Sequence, residues 1–375
     1  MKFTFDKELM QKKISVAQEI INSKSAGTIL SNVLLIAKDN MLTIKATDGS
    51  KLNFEGVMPI TIEEEGSTTI YCDKFNSILS SMDYTGEIEF SQIKNEDNNN
   101  LISVIRPIGK KSTTKLKTMS EKEFPTFSSG ENLPYFKISS KEFKDMIRQT
   151  QFAVSDDQTR FFMNGVYFEK KGEYLNLVAT DGRRLSIASQ PLLAGVNDFP
   201  SAIVHPKILN IIMKHAPEEG EIDVSVVEKM IFFQFADYKF SAVLIDGLFP
   251  NYESVIPKDQ PNQFQVKKDD LVSSLRMLSQ MIKTKKEGIN FNLEPGNLKL
   301  SAFNIDYGSS EVEIPCRYAG NNLKINLSLQ YIEEPLKEIK SEYVVFEFTD
   351  ERKAVTLHSE PASFYSHIIM PIQSE

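Results

Sequence analysis

Tryptophan is absent from the 375-residue sequence, and only two cysteines and four histidines occur in it. Cys72 and Cys316 lie far apart along the chain, so they provide neither a disulfide framework nor closely spaced metal ligands. The histidines never stand four residues apart, the spacing that places two imidazoles on one helix face around zinc. We therefore expect a protein of a reducing compartment that has no structural metal.

Long apolar runs and the motifs of nucleotide-binding and hydrolytic enzymes are missing as well. The first residues do not form the apolar core of a signal peptide, and no run reaches membrane length, which predicts a cytoplasmic protein. Gly109-Lys110-Lys111-Ser112 lacks the upstream glycine of a phosphate-binding loop, and no Gly-x-Ser-x-Gly motif occurs. We expect no cofactor and no enzymatic activity. A metabolic enzyme with triplicated α+β domains and an active site at a domain junction is the alternative, and a scattered catalytic triad would serve such an enzyme.

The charge and the composition are those of a folded globular protein. Hydrophobic residues make up 41% and charged residues 25% of the chain, which excludes a largely disordered protein. The net charge of −8 argues against a protein that coats nucleic acid with its whole surface, yet 43 lysines and arginines suffice for a local basic face. The length predicts two or three domains.

Four sequence landmarks recur along the chain in one order, and they indicate three copies of a single unit. The first is an alternating strand followed by a helix with one apolar face, at 3–17, 136–150 and 264–278. The second is a strand that ends in Thr-Asp-Gly in the first two copies, at 42–49, 175–182 and 298–306. The third is a strand followed by a short helix, at 70–82, 203–213 and 325–336. The fourth is Phe-Pro-x-aromatic, at 124–127 and 249–252.

This pattern predicts an α+β fold of three repeated domains, with helices on one face of mostly antiparallel sheets. Polar turns between strands are predicted at 95–100, 218–220 and 294–296. Turn-rich linkers place the three domains at 1–127, 134–257 and 262–375.

On these motifs the chain resembles the bacterial DNA polymerase III beta subunit family, the β sliding clamps. The matching segments are the Met-Lys-Phe start, Val-Ala-Thr-Asp-Gly-Arg-Arg-Leu at 178–185, Asp-Gly-Leu-Phe-Pro-Asn-Tyr at 246–252 and Ile-Ile-Met-Pro-Ile at 368–372. The resemblance implies sliding-clamp domains in a homodimeric ring around duplex DNA, with helices lining the ring interior and antiparallel sheets outside. It also implies a processivity factor that recruits a DNA polymerase subunit, an ATP-dependent clamp loader and repair proteins through short linear motifs.

A ring that slides along DNA needs positive charge facing the phosphates and no base-specific contacts. The candidates for this DNA-facing surface stand on or just after the repeated helices, and they are Lys24, Lys74, Arg148, Lys207, Lys283, Lys285 and Lys286. An ordinary solvated side chain is the alternative for each of them. For closure of the ring, we expect Thr114 and Leu116 of one chain to meet Gln280 and Met281 of the other.

The resemblance further implies a groove for partner peptides. Its walls and surroundings would be Arg160, Met163, Thr180, Gly182, Arg183, Arg184, Leu185, Pro250, Val255, Ile368, Ile369, Met370, Pro371 and Ile372. Methionines and branched aliphatic side chains form an adaptable apolar surface, and the two arginines are expected to receive acidic or carbonyl groups of the peptide. The alternative is that Leu185, Val255 and Ile368 are ordinary core residues.

The three copies differ at the turn that follows the second landmark strand. Copy one has Thr47-Asp48-Gly49 without the two arginines, and copy three has lost the Thr-Asp-Gly turn. We therefore expect that the fold does not require Arg183 and Arg184 and that they serve the partner. Departures from the family pattern at Arg183, at Ser254 and in the tail at 373–375 bear on the specificity of the groove. A modular peptide adaptor that does not bind DNA is a further alternative.

Overall fold

The computed structural model describes residues 1–21, 27–94, 101–284 and 287–373. Within these residues the chain forms six α-helices, which are α1 (Lys7–Ile20), α2 (Cys72–Ser81), α3 (Ser140–Gln151), α4 (Pro206–His215), α5 (Lys268–Leu278) and α6 (Leu329–Glu338). Among the described helices, none has both the length and the apolar character needed to cross a membrane.

Most of the remaining described chain is β-structure. The strands are β1 (Lys2–Asp6), β2 (Asn32–Lys38), β3 (Met41–Thr47), β4 (Leu52–Pro59), β5 (Thr61–Glu64), β6 (Gly66–Tyr71), β7 (Glu87–Lys94), β8 (Leu101–Pro107), β9 (Thr114–Lys117), β10 (Phe136–Ser139), β11 (Val166–Lys171), β12 (Tyr174–Thr180), β13 (Arg184–Pro191), β14 (Ala202–Val204), β15 (Glu221–Val227), β16 (Met230–Phe235), β17 (Tyr238–Val243), β18 (Asn262–Lys267), β19 (Gly288–Glu294), β20 (Asn297–Asn304), β21 (Gly308–Arg317), β22 (Leu323–Ser328), β23 (Tyr343–Phe348), β24 (Val355–Glu360) and β25 (Tyr365–Ile369). They pair in the orders β5-β1-β7-β8-β9, β10-β15-β16-β17-β4-β3-β2-β6 and β14-β11-β12-β13-β25-β24-β23-β18-β21-β20-β19-β22.

The predicted repeat of strand and helix is confirmed in all three copies. In copy one, the Asp6 side chain caps α1 by accepting a hydrogen bond from the Leu9 backbone N–H at 2.9 Å. Met10, Ile14 and Ala17 of that helix are fully buried, as their spacing predicts. The same step occurs from β10 to α3 and from β18 to α5, and the short helices α2, α4 and α6 follow the third landmark strands.

The three predicted turns have different outcomes. The turn at 294–296 joins β19 to β20 as predicted. The prediction for 218–220 is wrong, because this segment joins helix α4 to β15 and therefore does not lie between two strands. The turn at 95–100 lies outside the described residues, although β7 and β8 on either side of it pair as antiparallel strands.

The chain divides into two compact units, one of Met1–Ser140 with Lys207–Leu244 and the other of Lys141–Pro206 with Ile245–Glu375. Within the first unit, β4 of copy one pairs with β17 of copy two, and we call this pairing the first junction. Within the second unit, β13 of copy two pairs with β25 of copy three, and we call this pairing the second junction. The domain boundaries at 1–127, 134–257 and 262–375 stay a prediction.

Both junctions have the same antiparallel register. Each copy contains a row of four residues that face one another across neighbouring strands: Phe3, Phe90, Ile105 and Thr114; Phe136, Val224, Phe233 and Phe240; Phe264, Phe346, Leu357 and His367. At the first junction the row continues from Phe240 to Phe54, and at the second it continues from His367 to Ser186. Phe54 and Ser186 are equivalent, because each also lies opposite the last alanine of its hairpin partner strand.

Candidate functional site

The candidate site is built around the turn between β12 and β13. The Asp181 side chain accepts hydrogen bonds from the backbone N–H groups of Arg183 at 2.9 Å and Arg184 at 3.1 Å. The Thr180 hydroxyl donates to the Arg184 carbonyl at 2.6 Å and accepts from the Gly182 N–H at 3.0 Å. Gly182 has a φ of +87°, a conformation that side-chain-bearing residues rarely adopt. The hairpin turn predicted at Asp181-Gly182 is therefore confirmed.

Beside this turn lies an open cavity of about 330 Å³. Its lining residues are Met163, Thr180, Gly182, Arg183, Arg184, Leu185, Pro250, Asn251, Tyr252, Val255, Ile368 and Met370. Most of the residues that the sequence assigns to a groove therefore lie together around one cavity. Asn251 and Tyr252 were missed as wall residues, although both belong to the quoted motif that contains Pro250.

The floor of the cavity is apolar and buried, whereas its rim is exposed. Leu185 and Ile368 are only 3% exposed, and they face each other across β13 and β25. On the rim, Val255 is 56% and Met370 is 45% exposed. Two buried aliphatic side chains beneath two exposed ones form a surface that an apolar side chain of another molecule can enter.

Aromatic packing supports the floor from below. Tyr167 stacks on Phe249 with ring centroids 4.6 Å apart, and both pack against the cluster that contains Leu185 and Tyr252. The Tyr252 hydroxyl donates to the Glu169 carboxylate at 2.6 Å, and burial together with this hydrogen bond raises the pKa of Tyr252. Tyr252 therefore presents a neutral ring to the cavity at physiological pH.

Arg184 differs from the role that the sequence suggested. Its guanidinium pairs with Glu334 of α6 and with Asp181 at 3.1 Å, and it donates to the Phe152 carbonyl at 2.5 Å. It also lies 4.6 Å from the centre of the Tyr331 ring, and the residue is only 5% exposed. The Arg184 guanidinium is therefore already engaged within the chain, which argues against the expectation that the fold does not require this residue.

The remaining predicted groove residues lie near the cavity without lining it. Arg160 pairs with Asp157 at 2.9 Å, and one of its nitrogens would stand 3.0 Å from a Cβ placed on Gly182. Hydrogen bonds from Thr159, and the Arg160 guanidinium, lower the pKa of Asp157 to about 2. Ile369 is fully buried, because successive side chains of β25 point to opposite faces and its neighbour Ile368 faces the cavity.

Beyond β25, the last described residues continue along the turn. The Met370 N–H donates to the Arg183 carbonyl at 2.9 Å, which anchors the rim residue to the hairpin. Pro371 is buried and Ile372 is 38% exposed. Side chains of a strand point alternately to its two faces, so Ile368 and Met370 share one face and Ile369 lies on the other. This alternation was the sequence signal that could have distinguished the residues lining the cavity from those behind it.

The predicted DNA-facing residues occupy different environments. Lys74 and Lys207 are exposed in the first turns of α2 and α4. Arg148 pairs with Asp145 and lies 3.9 Å from Glu338, whereas Lys283 pairs with Asp306 at 2.5 Å. The three remaining candidates, Lys24, Lys285 and Lys286, lie outside the described residues.

The residues predicted for ring closure lie at the ends of two sheets. Thr114 and Leu116 are half-buried on β9, which in the described part of the chain has a paired neighbour only on one side. Gln280 and Met281 belong to a short 3-10 helix, Ser279–Met281, that contacts β20 and β21.

Three copies of one α+β unit and an apolar groove beside a hairpin turn are the features of a sliding clamp, a class of protein that acts by binding. Three family models match the chain in order: the N-terminal domain of the DNA polymerase III beta subunit at 1–128, the central domain at 137–251 and the C-terminal domain at 253–373. The chain belongs to the DNA polymerase III beta subunit family and is a non-catalytic DNA sliding clamp.

Individual relatives agree over the full length. The beta sliding clamp of Treponema pallidum is 38% identical, and that of Pseudomonas aeruginosa 27%, each with 100% of both chains covered. Among solved structures, the beta sliding clamp of Caulobacter crescentus matches with a TM-score of 0.92 at 25% identity, over 100% of this chain and 99% of that one. A Pseudomonas aeruginosa sliding clamp bound to griselimycin matches with a TM-score of 0.91 at 25% identity, over 100% of both chains.

Proposed function

We propose that two copies of this chain close into a ring around duplex DNA and that the groove of each copy holds short linear motifs of a DNA polymerase subunit, a clamp loader and repair proteins. The observation that carries the proposal is the groove, whose apolar floor of Leu185 and Ile368 opens to solvent. Processivity follows from the combination, since the ring stays on DNA by topology while the groove holds the enzyme.

The groove favours an extended peptide with apolar anchors. Met163 and Met370 can adjust to side chains of different shape, because methionine is flexible and polarizable. Arg183 is exposed at the rim, so it is the cation available to an acidic group or a carbonyl of the peptide. Arg184 shapes the wall from behind and does not reach the partner through its guanidinium.

Peptide binding tests the groove directly. A fluorescent peptide that carries the short linear motif of the cognate replicative polymerase should bind the wild-type chain, and Val255→Asp should weaken binding at least tenfold by placing a charge on the apolar rim. Leu193→Asp is the matched control, because Leu193 is 63% exposed and does not line the groove. Equal affinities of the two variants would show that the groove is misplaced.

We infer that Lys74 and Lys207 belong to the DNA-facing surface, together with Lys24, Lys285 and Lys286. The exposure of Lys74 and Lys207 in the first turns of α2 and α4 suits contacts with phosphates of any sequence. Arg148 and Lys283 are further candidates, and each lies beside a carboxylate, as Lys207 lies near Asp48. We also infer a cytoplasmic location, because the proposed partner is DNA.

The salt dependence of DNA binding tests this surface. Lys74→Gln and Lys207→Gln should each reduce the slope of log affinity against log salt by about 0.9, because each variant neutralises one phosphate fewer than the wild type does. An unchanged slope would place those side chains away from DNA.

The strand pairing of the two junctions supports a specific way of closing the ring. At each junction, the strand after the second landmark turn of one copy pairs with the last strand of the next copy. The equivalent strands without such a partner are β21 of copy three and β9 of copy one. Among the described residues, β21 meets β18 only at Cys316 and Arg317, so most of its outer edge is open. We propose that β21 of one chain pairs with β9 of the second chain as a third junction.

The register of this third junction can be stated residue by residue. Thr114 ends the row of copy one, as Phe240 and His367 end theirs. Ser310 lies opposite the last alanine of β20, as Phe54 and Ser186 do in their own copies. Thr114 of one chain should therefore face Ser310 of the other, with Leu116 opposite Gly308.

The neighbours of this pair support the same arrangement. Phe152 of copy two contacts His367, with ring centroids 5.6 Å apart, at the second junction. Gln280 occupies the place after α5 that Phe152 occupies after α3. In the proposed third junction, Gln280 and Met281 of one chain would therefore lie beside Thr114 of the other, which are the residues expected from the sequence. The open strands also differ in charge, since β21 carries Glu311 and Glu313 whereas β9 carries Lys115 and Lys117. Opposite charges favour this pairing over self-association of either edge.

A disulfide tests the register. Thr114→Cys combined with Ser310→Cys should form a covalent dimer under mild oxidation, since facing residues of antiparallel strands bring their Cβ atoms within bonding range. Lys115→Cys combined with Ser310→Cys is the control, because residue 115 points to the other face of the strand. Cys72 and Cys316 are buried and free, so they should not compete. Equal cross-linking of both pairs would contradict the register.

A further inference from the structure

The turn between β20 and β21 carries large apolar side chains where the other two copies carry polar turns. Phe303 and Tyr307 are each 70% exposed, and Ile305 is 85% exposed. The corresponding turns read Asp-Gly-Ser-Lys at 48–51 and Asp-Gly-Arg at 181–183. A single exposed apolar side chain is ordinary, but three on one turn form a patch of the kind that binds another surface.

The backbone of this turn is fixed within the chain. The Asn304 side chain accepts a hydrogen bond from the Asp306 N–H at 2.9 Å, and Asn304 is only 6% exposed. The Asp306 carboxylate pairs with Lys283 at 2.5 Å. The three apolar side chains are therefore held outward by a hydrogen-bonded turn, and docking them does not require the turn to fold first.

The register of the third junction places this turn at the C-terminal end of β9 of a second copy. The two junctions within the chain share a hydrogen bond just beyond the paired strands, from the Val243 N–H to the Lys51 carbonyl at 2.8 Å and from the Met370 N–H to the Arg183 carbonyl at 2.9 Å. The third equivalent bond would run from the Lys117 N–H of one copy to the Tyr307 carbonyl of the other.

The surface beside Lys117 is itself apolar. Ile93 is 41% and Met119 36% exposed. Ile93 lies opposite Ile102, the residue that faces Lys117 across β8 and β9. The Thr118 hydroxyl donates to the Leu101 carbonyl at 2.9 Å, which keeps the segment after β9 against β8.

We propose that the apolar turn of Phe303, Ile305 and Tyr307 packs against Ile93 and Met119 of a second copy of this chain, as a contact that extends the third junction. This inference rests on the proposed homodimer and adds a contact that strand pairing alone does not provide. Burial of apolar area then adds to the strand pairing and the charge complementarity in holding the two chains together.

The affinity of the dimer tests this contact. The dissociation constant of the triple variant Phe303→Ser, Ile305→Ser, Tyr307→Ser should rise at least tenfold in sedimentation or in dilution of fluorescently labelled chains. A double variant of Leu193→Ser and Phe364→Ser removes apolar groups of similar exposure, 63% and 60%, and should dimerise like the wild type. An unchanged dissociation constant of the triple variant would overturn the contact even while the dimer itself stands.

A second measurement locates the contact. Ile305→Cys on one chain and Met119→Cys on the other should be joined by a short bismaleimide, whereas Leu193→Cys with Met119→Cys should not. If only the Thr114→Cys and Ser310→Cys pair links the chains, the turn points elsewhere and this contact is wrong. A wild-type chain that stays monomeric at all concentrations would overturn the proposed homodimer, and the contact with it.

Discussion

The first and second junctions share one backbone register, but only the second one contains the groove. At the first junction the residue pair equivalent to Leu185 and Ile368 is Asn53 and Ser241, which also face each other across two strands. The Asn53 side chain donates to the Ser241 hydroxyl at 3.1 Å, and the cavity there measures about 10 Å³.

The first junction also contains Phe127, the last residue of the Phe-Pro-x-aromatic landmark of copy one. It lines the small cavity of the first junction and lies 5.3 Å from the Lys45 ammonium, measured from the centre of its ring. Tyr252 holds the corresponding place in the Phe-Pro-x-aromatic landmark of copy two. At the second junction a cavity of about 330 Å³ remains open next to this tyrosine. One backbone arrangement therefore gives a closed polar contact or a binding groove, depending on two facing side chains and the residues around them.

The sharpest way to test this comparison is to transplant the polar pair. Leu185→Asn with Ile368→Ser should weaken peptide binding about a hundredfold, because apolar anchors of the peptide would then cover two polar side chains, at a desolvation cost of roughly 1–3 kcal/mol per unsatisfied group. Fluorescence anisotropy with a labelled polymerase peptide measures the affinity. The reverse exchange, Asn53→Leu with Ser241→Ile, should not create peptide binding, since the site lacks the volume. Wild-type affinity in the first double variant would contradict the comparison.

The buried arginine is a second difference between the junctions. Leu52 stands at the first junction where Arg184 stands at the second, since each directly precedes the facing pair described above. Arg184→Leu should lower the free energy of unfolding by about 3 kcal/mol, because Asp181 and Glu334 lose their partner. Urea denaturation of the variant measures this loss. Adding Glu334→Leu should restore part of the stability, and a single variant as stable as the wild type would contradict the assigned role.

His367 gives the second junction a pH dependence that Phe240 cannot give the first. Burial lowers the pKa of His367 to about 3, so the folded state keeps the ring neutral where the unfolded chain binds a proton near its ordinary pKa of 6.5. The free energy of unfolding is therefore highest above pH 6.5, where His367 is neutral in both states, and it decreases as the pH falls toward 3, because only the unfolded chain binds the proton. At pH 5 the loss should be on the order of 2 kcal/mol.

The variant His367→Phe isolates this group, since it copies the residue of the first junction. Its free energy of unfolding should change less than that of the wild type between pH 7 and pH 5, as followed by urea titration at each pH. The same pH dependence in both proteins would assign the effect to other groups.

The smallest expected effect is a difference in stability between alanine variants of the turns that contain Gly49 and Gly182. Gly49 and Gly182 have φ angles of +79° and +87°, so alanine at either position should cost about 1–2 kcal/mol. A Cβ on Gly49 would lie 2.7 Å from a Leu30 methyl, whereas one on Gly182 would meet the Arg160 guanidinium at 3.0 Å. We expect Gly49→Ala to lower the melting temperature more than Gly182→Ala. The opposite order would show that Arg160 is held more tightly than Leu30.

The elements of the fold could be predicted from the sequence because their signals are local. The spacing of Met10, Ile14 and Ala17 specifies a buried helix face, and Asp181-Gly182 specifies a turn through short-range backbone preferences. The segment at 218–220 was misassigned, because a short polar run looks the same in the sequence whether it joins a helix to a strand or joins two strands.

The residues of the groove could be predicted from the sequence, but the contacts between them could not. Most wall residues could be named because they recur in the family motifs. The ion pair of Arg184 with Glu334 joins residues 150 positions apart, and no local pattern indicates such a pair. The polar pair of Asn53 and Ser241 is likewise visible only after the strands are aligned, because each residue alone is ordinary in a strand.

The central claim is that this clamp holds DNA by topology. After loading onto nicked circular duplex DNA, the chain with Thr114→Cys and Ser310→Cys should be oxidised to close the ring and then washed at high salt, which screens phosphate contacts. We predict that the closed ring stays on the circle and is released when a single cut linearises the DNA. Equal retention on circular and linear DNA, or loss from both, would contradict the account.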